Sequence, residues 1–140
     1  MAVKIKSSRM LLAYGFLRSV FEVFELYKTP IDMITTSEVA VSLTIDNTQF
    51  INEIVNDLLA FGTVEVDENL SIVCVVGDFI EGKPGYALQI FDSLKEIPLR
   101  MISYGGSKNN ISLLIQTSDK EKALNALNDV IFNGKENLHA

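Results

Sequence analysis

Three short stretches in the first third of the chain carry groups suited to a small zwitterion. Tyr14-Gly15-Phe16-Leu17 opens a helical pattern. The first turn of a helix offers backbone N–H groups without intrahelical acceptors, and the positive end of its dipole favours a carboxylate. Asp32 begins the next strand-like run and suits an ammonium group. Ser37 and Glu38 follow that run with a hydroxyl and a second carboxylate. Taken singly, each has a plainer reading. Asp32 alone is a solvated charge at a strand end, and Ser37-Glu38 alone is a turn between strands. Together they admit an amino-acid ligand without requiring one.

Catalytic machinery is not evident. The chain contains no G-x-x-x-x-G-K-[ST] phosphate loop, no glycine fingerprint after a strand and no G-x-S-x-G elbow. The segment Gly77-Asp78…Gly82-Lys83-Pro84-Gly85 brings glycine and lysine before a helix. Pro84, however, removes a backbone donor where a phosphate cradle needs several, so a plain connecting loop is expected. The one histidine, His139, adjoins the C-terminus, and the one cysteine, Cys74, lies in the apolar run Ile72-Val73-Cys74-Val75-Val76. Neither a zinc site nor any cofactor is expected from such a set. Cys74 reads as a small buried hydrophobe in a strand.

The elements that must position these groups follow from periodicity. Val3-Lys4-Ile5-Lys6 alternates as a half-buried strand. Phe16, Leu17, Val20, Phe21, Phe24 and Tyr27 recur at helical spacing, and Pro30 closes that region. Residues 31–36 read as a strand, with Asp32 at its start. Val39, Val41, Leu43 and Ile45 then alternate with Ala40, Ser42 and Thr44 as another, with one face buried. Phe50, Ile51, Ile54, Val55, Leu58 and Leu59 form a second helix face, stopped by Gly62, and residues 63–67 alternate again. The first half is therefore β-α-β-β-α-β. In that order the first helix runs antiparallel to its flanking strands, which leaves Asp32 at the far end of the unit from Gly15. A second chain related by a two-fold axis would bring the two together.

The second half repeats the pattern. Residues 70–76 suit a strand buried on both faces. Ala87, Ile90, Phe91 and Leu94 suit a helix, residues 99–103 and 111–115 suit strands, and Leu124, Leu127, Val130 and Ile131 suit a last helix. Ser118 with Glu121 matches a capping box at the start of that helix. The repeat is also literal. Gly15-Phe16-Leu17-Arg18-Ser19-Val20-Phe21-Glu22 aligns with Gly85-Tyr86-Ala87-Leu88-Gln89-Ile90-Phe91-Asp92, an offset of 85 − 15 = 70. Ile31-Asp32-Met33-Ile34-Thr35 aligns with Leu99-Arg100-Met101-Ile102-Ser103, an offset of 99 − 31 = 68. Two copies of one supersecondary unit are expected, at 1–69 and 70–134, with a tail at 135–140. The second copy lacks its final strand. We expect that strand from sequence preceding Met1 or from a neighbouring chain, since an open edge invites aggregation. The strand pattern begins almost at once, which suggests a fragment of something longer.

Composition narrows the function classes. The net charge of −6, with lysines and arginines scattered, disfavours nucleic-acid and anionic-membrane partners. No apolar run reaches about 18 residues, the beginning lacks a signal-peptide core, and a lone cysteine fits a reducing compartment, so a soluble cytoplasmic protein is expected.

With these residues in view, the chain closely resembles the C-terminal regulatory region of aspartate kinases. The resemblance rests on Ser8-Arg9-Met10-Leu11, on Gly15-Phe16-Leu17…Val20-Phe21, and above all on Ile31-Asp32-Met33-Ile34-Thr35-Thr36-Ser37-Glu38-Val39-Ala40-Val41-Ser42-Leu43. It continues through Leu99-Arg100-Met101-Ile102-Ser103-Tyr104-Gly105-Gly106-Ser107-Lys108-Asn109-Asn110 and covers nearly the whole chain. It implies an α+β fold of two ferredoxin-like βαββαβ ACT modules in tandem. It also implies a homodimer through those modules, feedback inhibition of a covalently attached kinase domain, and lysine as effector between paired first modules. Threonine as effector and a purely structural dimerisation module are the alternatives. By the resemblance, the effector carboxylate meets backbone near Gly15, Phe16 and Leu17. Its ammonium groups meet Asp32 and Glu38, and Met10, Ile31, Ser37 and Val39 line or support the pocket. In the second module Asp32 becomes Arg100, and Ser37-Glu38-Val39 becomes Gly105-Gly106-Ser107, which implies coupling rather than an equivalent site. The family's K-F-G-G-[ST] catalytic signature is absent, so no kinase activity of the chain itself is expected.

Overall fold

Val3 and Ile5 are fully buried while Lys4 and Lys6 are exposed, so the alternation read from the sequence turns one face of β1 (Ala2–Lys6) onto a core. The computed structural model describes residues 1–7, 15–37, 39–77, 85–105 and 110–133. It divides into two compact units, Met1–Glu68 and Asn69–Ala140.

In the first unit β1 is followed by α1 (Phe16–Leu26), β2 (Ile34–Thr36), β3 (Ala40–Thr44), α2 (Ile51–Leu58) and β4 (Thr63–Asp67). The strands form one antiparallel sheet in the order β2-β3-β1-β4. Register places Val3 opposite Leu43 and Val66, and Ile5 opposite Val41 and Val64. That face meets Phe16, Val20, Val23 and Phe24 of α1 and Ile54 and Leu58 of α2 in a single apolar core. The opposite face carries Lys4, Ser42, Thr35 and Glu65 in one cross-strand row, as expected for an antiparallel sheet covered on one side.

Helix α1 ends before Pro30, by its own closure. Lys28 adopts a left-handed conformation at φ 49°, its N–H donates to Glu25 O at 3.0 Å, and Thr29 N–H donates to Phe24 O at 2.9 Å. These are the two bonds of a Schellman motif, so the stop is set at Tyr27–Lys28 and Pro30 only follows it. Tyr27 Oη then donates to Asp57 Oδ2 at 2.7 Å and ties the end of α1 to α2. That bond, above all, raises the Tyr27 pKa.

Gly62 lies beyond the end of α2 and acts by close approach instead of capping. A Cβ at this position would fall 2.3 Å from the Lys6 carbonyl oxygen. Gly62→Ala is therefore expected to destabilise the first unit by about 1–3 kcal/mol, the usual cost of overpacking. Chemical denaturation checks this, and an unchanged midpoint would mean that the backbone yields freely there.

The second unit repeats the plan with β5 (Leu70–Val76), α3 (Tyr86–Ser93), β6 (Met101–Tyr104), β7 (Asn110–Gln116) and α4 (Lys120–Asn128). Its sheet has the order β5-β7-β6, matching β1-β3-β2, and the position corresponding to β4 has no strand among the described residues. The core gathers Val73, Val75, Ile111, Leu113 and Ile115 from the sheet with Ile90, Leu94, Ile97, Ala123 and Leu127. The fold is thus α+β with two ferredoxin-like units in tandem, the second one strand short, as the repeat implied.

Several local expectations need correction. β5 is buried mainly through Val73 and Val75, and Val76 is exposed, so it is not a strand covered on both faces. Cys74 is exposed as well, because it falls on the face away from the core, with Sγ 3.4 Å from Ser112 Oγ. The Ser118 capping box does not form. A 3-10 turn over Thr117–Asp119 precedes α4, whose N-cap is Asp119 without a side-chain bond. In α4 the inward positions are Ala123 and Leu127, while Leu124 faces out. Asp32 does not begin a regular strand, since β2 starts at Ile34.

Candidate functional site

The site begins with a backbone conformation. Gly15 is the N-cap of α1 at φ 84°, ψ 6°, in the left-handed region, and its carbonyl accepts the Ser19 N–H at 2.9 Å. A Cβ on Gly15 would meet nothing within 4 Å, so glycine is required by φ and not by space. The turn delivers Phe16, buried in the core, and Leu17, half-exposed, at the positive end of the helix. Gly85 repeats this geometry at the start of α3, with φ 94° and a Gln89 N–H bond to its carbonyl at 3.0 Å.

Ser37 and Val39 flank the β2–β3 turn. Ser37 N–H donates to Ala40 O at 2.8 Å, and Val39 O accepts the Ser7 N–H at 2.8 Å. Because Ser7 follows β1 and α1 follows in turn, Ser37, Val39 and the start of α1 all lie at one end of the sheet. Asp32 lies at the other end, where its N–H donates to Thr44 O at 2.9 Å. Ile31 beside it is partly buried against the core. One copy of the chain therefore has Gly15, Phe16, Leu17, Ser37 and Val39 at one end of the first unit's sheet and Asp32 at the other. Met10 and Glu38 fall outside the described residues, as do His139 and Lys83.

Asp32 is exposed, yet its carboxyl pKa is raised. Desolvation contributes most, the Asp46 carboxylate adds to it, and the Met1 ammonium acts against both. Two carboxylates near one another with partial desolvation make a place that favours a cation. Asp46 is a neighbour the sequence reading passed over; only its position just after β3 marks it. Thr44 was passed over too, read as one of the polar face of β3, although it is 2% exposed.

An open cavity of about 610 Å³ lies beside Lys6, Ser7 and residues 59–63, and none of the described site candidates is among its lining residues. Among the described residues no cluster of His, Cys, Asp and Glu could hold a metal ion. No described helix is long and apolar enough to cross a membrane.

Two ferredoxin-like units in tandem, each opening its first helix on a left-handed glycine, define a regulatory module of the ACT class. A family model for the ACT domain matches residues 73–131. A solved structure of a C-terminal regulatory domain of aspartate kinase from Porphyromonas gingivalis W83 is 47% identical, with a TM-score of 0.84, covering 94% of this chain and 90% of that one. The chain belongs to this family, the C-terminal regulatory domains of aspartate kinase. The Schizosaccharomyces pombe aspartokinase is 37% identical over 132 residues, which are 91% of this chain and 25% of that protein. Escherichia coli aspartokinase III, solved in complex with lysine and aspartate in its T-state, is 32% identical with a TM-score of 0.83, covering 94% of this chain and 31% of that one. The chain spans about a quarter to a third of the length of these two enzymes.

Proposed function

We propose that this chain is the effector-sensing part of an aspartate kinase, that lysine is the effector, and that it binds between the first units of two copies. Residues 1–69 act as the binding module, 70–134 as a dimer-forming and coupling module, and 135–140 as a tail. The parent protein phosphorylates aspartate in the cytoplasm through a covalently attached kinase domain.

The observation that carries this reading is the separation of the two halves of the site. The carboxylate-binding half is the Gly15–Leu17 helix start with Ser37 and Val39, and the ammonium-binding half is Asp32 at the opposite end of the same sheet. A two-fold axis beside β2 would reverse the second copy and set its Asp32 against the first copy's helix start. Leu17 and Phe21 on α1 and Ile34 on β2 are partly exposed apolar groups available to that seam. Glu38 and Met10 complete the pocket in this reading. The lysine complex of the Escherichia coli relative supports lysine over threonine. Arg100 at the position of Asp32 supports assigning the second unit to coupling.

Feedback then requires only differential affinity. Lysine favours the arrangement of paired units in which the kinase domain is less active, and shifts the equilibrium by no more than the ratio of its affinities for the two states. Titration calorimetry of the chain with lysine, and separately with threonine, tests the assignment. Saturable lysine heat at one site per chain, with mass in solution rising to that of a dimer, is expected. Threonine heat without lysine heat would move the chain to the threonine-sensing class. A dimer that binds neither would leave a structural module.

A further inference from the structure

The chain passes from the first compact unit to the second between Glu68 and Asn69. The passage is short, since β4 ends at Asp67 and β5 begins at Leu70. It is also anchored on both sides. Asp67 still belongs to the first unit's ladder, where it stands opposite Ala2. Asn69 is already fastened in the second unit, because its carbonyl accepts the Thr117 N–H at 2.8 Å. Beyond it Leu70 stands opposite Gln116, and the Ser71 and Thr117 hydroxyls lie 2.9 Å apart. Glu68 is the single residue between these anchors. Domain boundaries usually fall in flexible linkers that leave the two sides free to reorient. A connection this short between paired strands withholds that freedom.

Asn69 sets the direction of the passage. Its φ is 60°, in the left-handed region. Asparagine enters that region more readily than most residues with a Cβ. Unlike glycine, it does not open the rest of the conformational map. The chain therefore turns sharply at Asn69 and the turn is held.

The junction lies at the end of the first sheet that carries Asp32. Asp32 N–H donates to Thr44 O, Thr44 stands opposite Ala2, and Ala2 stands opposite Asp67. One row of paired backbone thus runs from Asp32 across β3 and β1 to the last residue of β4. From there Glu68 and Asn69 lead directly into β5.

We propose that the Glu68–Asn69 junction is a stiff coupler: a ligand held at Asp32 shifts the end of β4, and the short left-handed turn passes that shift into β5 and the second sheet. The proposal rests on the lysine-binding reading above and supplies a physical route for the coupling assigned there to residues 70–134. A route of this kind is real only where breaking it uncouples the two sides.

The test compares the wild-type chain with two variants. One carries Gly-Ser-Gly inserted between Glu68 and Asn69, which makes the passage a flexible linker. The other is Asn69→Gly, which adopts the turn without holding it. Each unit has its own apolar core, so both variants are expected to fold. Lysine affinity is measured by calorimetry, and lysine-induced amide shifts are measured by NMR at Val3 and Leu43 in the first unit and at Val73, Val75 and Leu113 in the second. In the wild type, saturating lysine is expected to shift amides in both units. In the insertion chain the first-unit shifts should remain, the second-unit shifts should fall about fivefold or more, and affinity should stay within about tenfold, the span of an ordinary coupling energy. Asn69→Gly should lower the second-unit shifts by about twofold, since glycine loosens the turn and leaves its length unchanged. Second-unit shifts as large in the insertion chain as in the wild type would overturn the coupler and leave the lysine reading intact. A wild type that binds lysine and shifts only first-unit amides would overturn it in the same way. Loss of lysine binding in a folded insertion chain would make the junction a support of the binding site and also overturn a coupling role. A wild-type chain silent to lysine would overturn both readings together.

Discussion

Asp32→Ala is expected to lower lysine affinity by about a hundredfold or more while the chain stays folded. Removing one partner of a hydrogen-bonded charge pair at an interface costs about 2–5 kcal/mol, and about 2.8 kcal/mol is a hundredfold. The fold uses only the backbone N–H of Asp32, which alanine retains. The carboxyl pKa adds a sign that separates function from stability. Desolvation and Asp46 raise it, so the folded state holds the proton more tightly than the unfolded chain does. The ionised side chain therefore costs stability once the pH is above the raised folded value. That cost fades as pH falls through the window and is absent below the ordinary aspartate value. Asp32→Asn should accordingly melt no lower than wild type at neutral pH without ligand, and slightly higher. Lysine binding to the wild type should weaken as pH falls, starting above the range of an unperturbed aspartate. Calorimetry at several pH values and thermal melts check both. Binding that survives in Asp32→Ala would remove Asp32 from the site, and an Asp32→Asn chain that melts well below wild type would instead give its carboxylate a stabilising partner in the ligand-free chain.

Much of this architecture was legible because each unit buries one face of one sheet. Val3 and Ile5 against Lys4 and Lys6, and Val41 and Leu43 against Ser42, show the period of two directly. The offset of Gly15 to Gly85 showed the repeat, and both glycines adopt the left-handed N-cap that only glycine takes cheaply. Legibility failed where hydrogen bonding overrode pattern. Residues 31–36 read as a strand because the run is rich in Ile and Thr, but Thr44 O takes the Asp32 N–H while Thr44 N–H donates to Met33 O, two residues against one, and β2 begins only at Ile34. Thr44 reads as one more polar residue of the outer face, and no pattern of residue types reveals that its Oγ1 accepts the Met33 N–H at 2.8 Å. The run over β5 is so apolar that its pattern does not tell the two faces apart, and Cys74 falls on the exposed one. The start of α1 and the β2–β3 turn came out at one end of the sheet and Asp32 at the other, because chain direction through β-α-β-β fixes that much without any side-chain detail.

Phe24→Ala and Phe21→Ala, three residues apart on α1, should have separable effects. Phe24 is 1% exposed in the core shared by β1, β3 and α2, whereas Phe21 is 39% exposed on the outer side of the same helix. Truncating a buried phenylalanine costs about 3–5 kcal/mol, because the transferred ring area is lost and a cavity remains. At about 0.05–0.15 kcal/mol per residue, a unit of this size holds roughly 3–10 kcal/mol in all. Phe24→Ala therefore removes about a third or more of the first unit's stability, and the amides of Val3, Ile5 and Leu43 should lose much of their hydrogen-exchange protection. Phe21→Ala should leave that protection nearly unchanged, since little buried surface is lost within one chain. If first units pair beside β2 and α1, the same substitution should weaken dimerisation measured by sedimentation and, with it, lysine affinity. Protected amides in Phe24→Ala would mean that the core closes around the cavity. Loss of protection in Phe21→Ala equal to that in Phe24→Ala would place Phe21 in the core and leave α1 with no apolar face to offer a second copy.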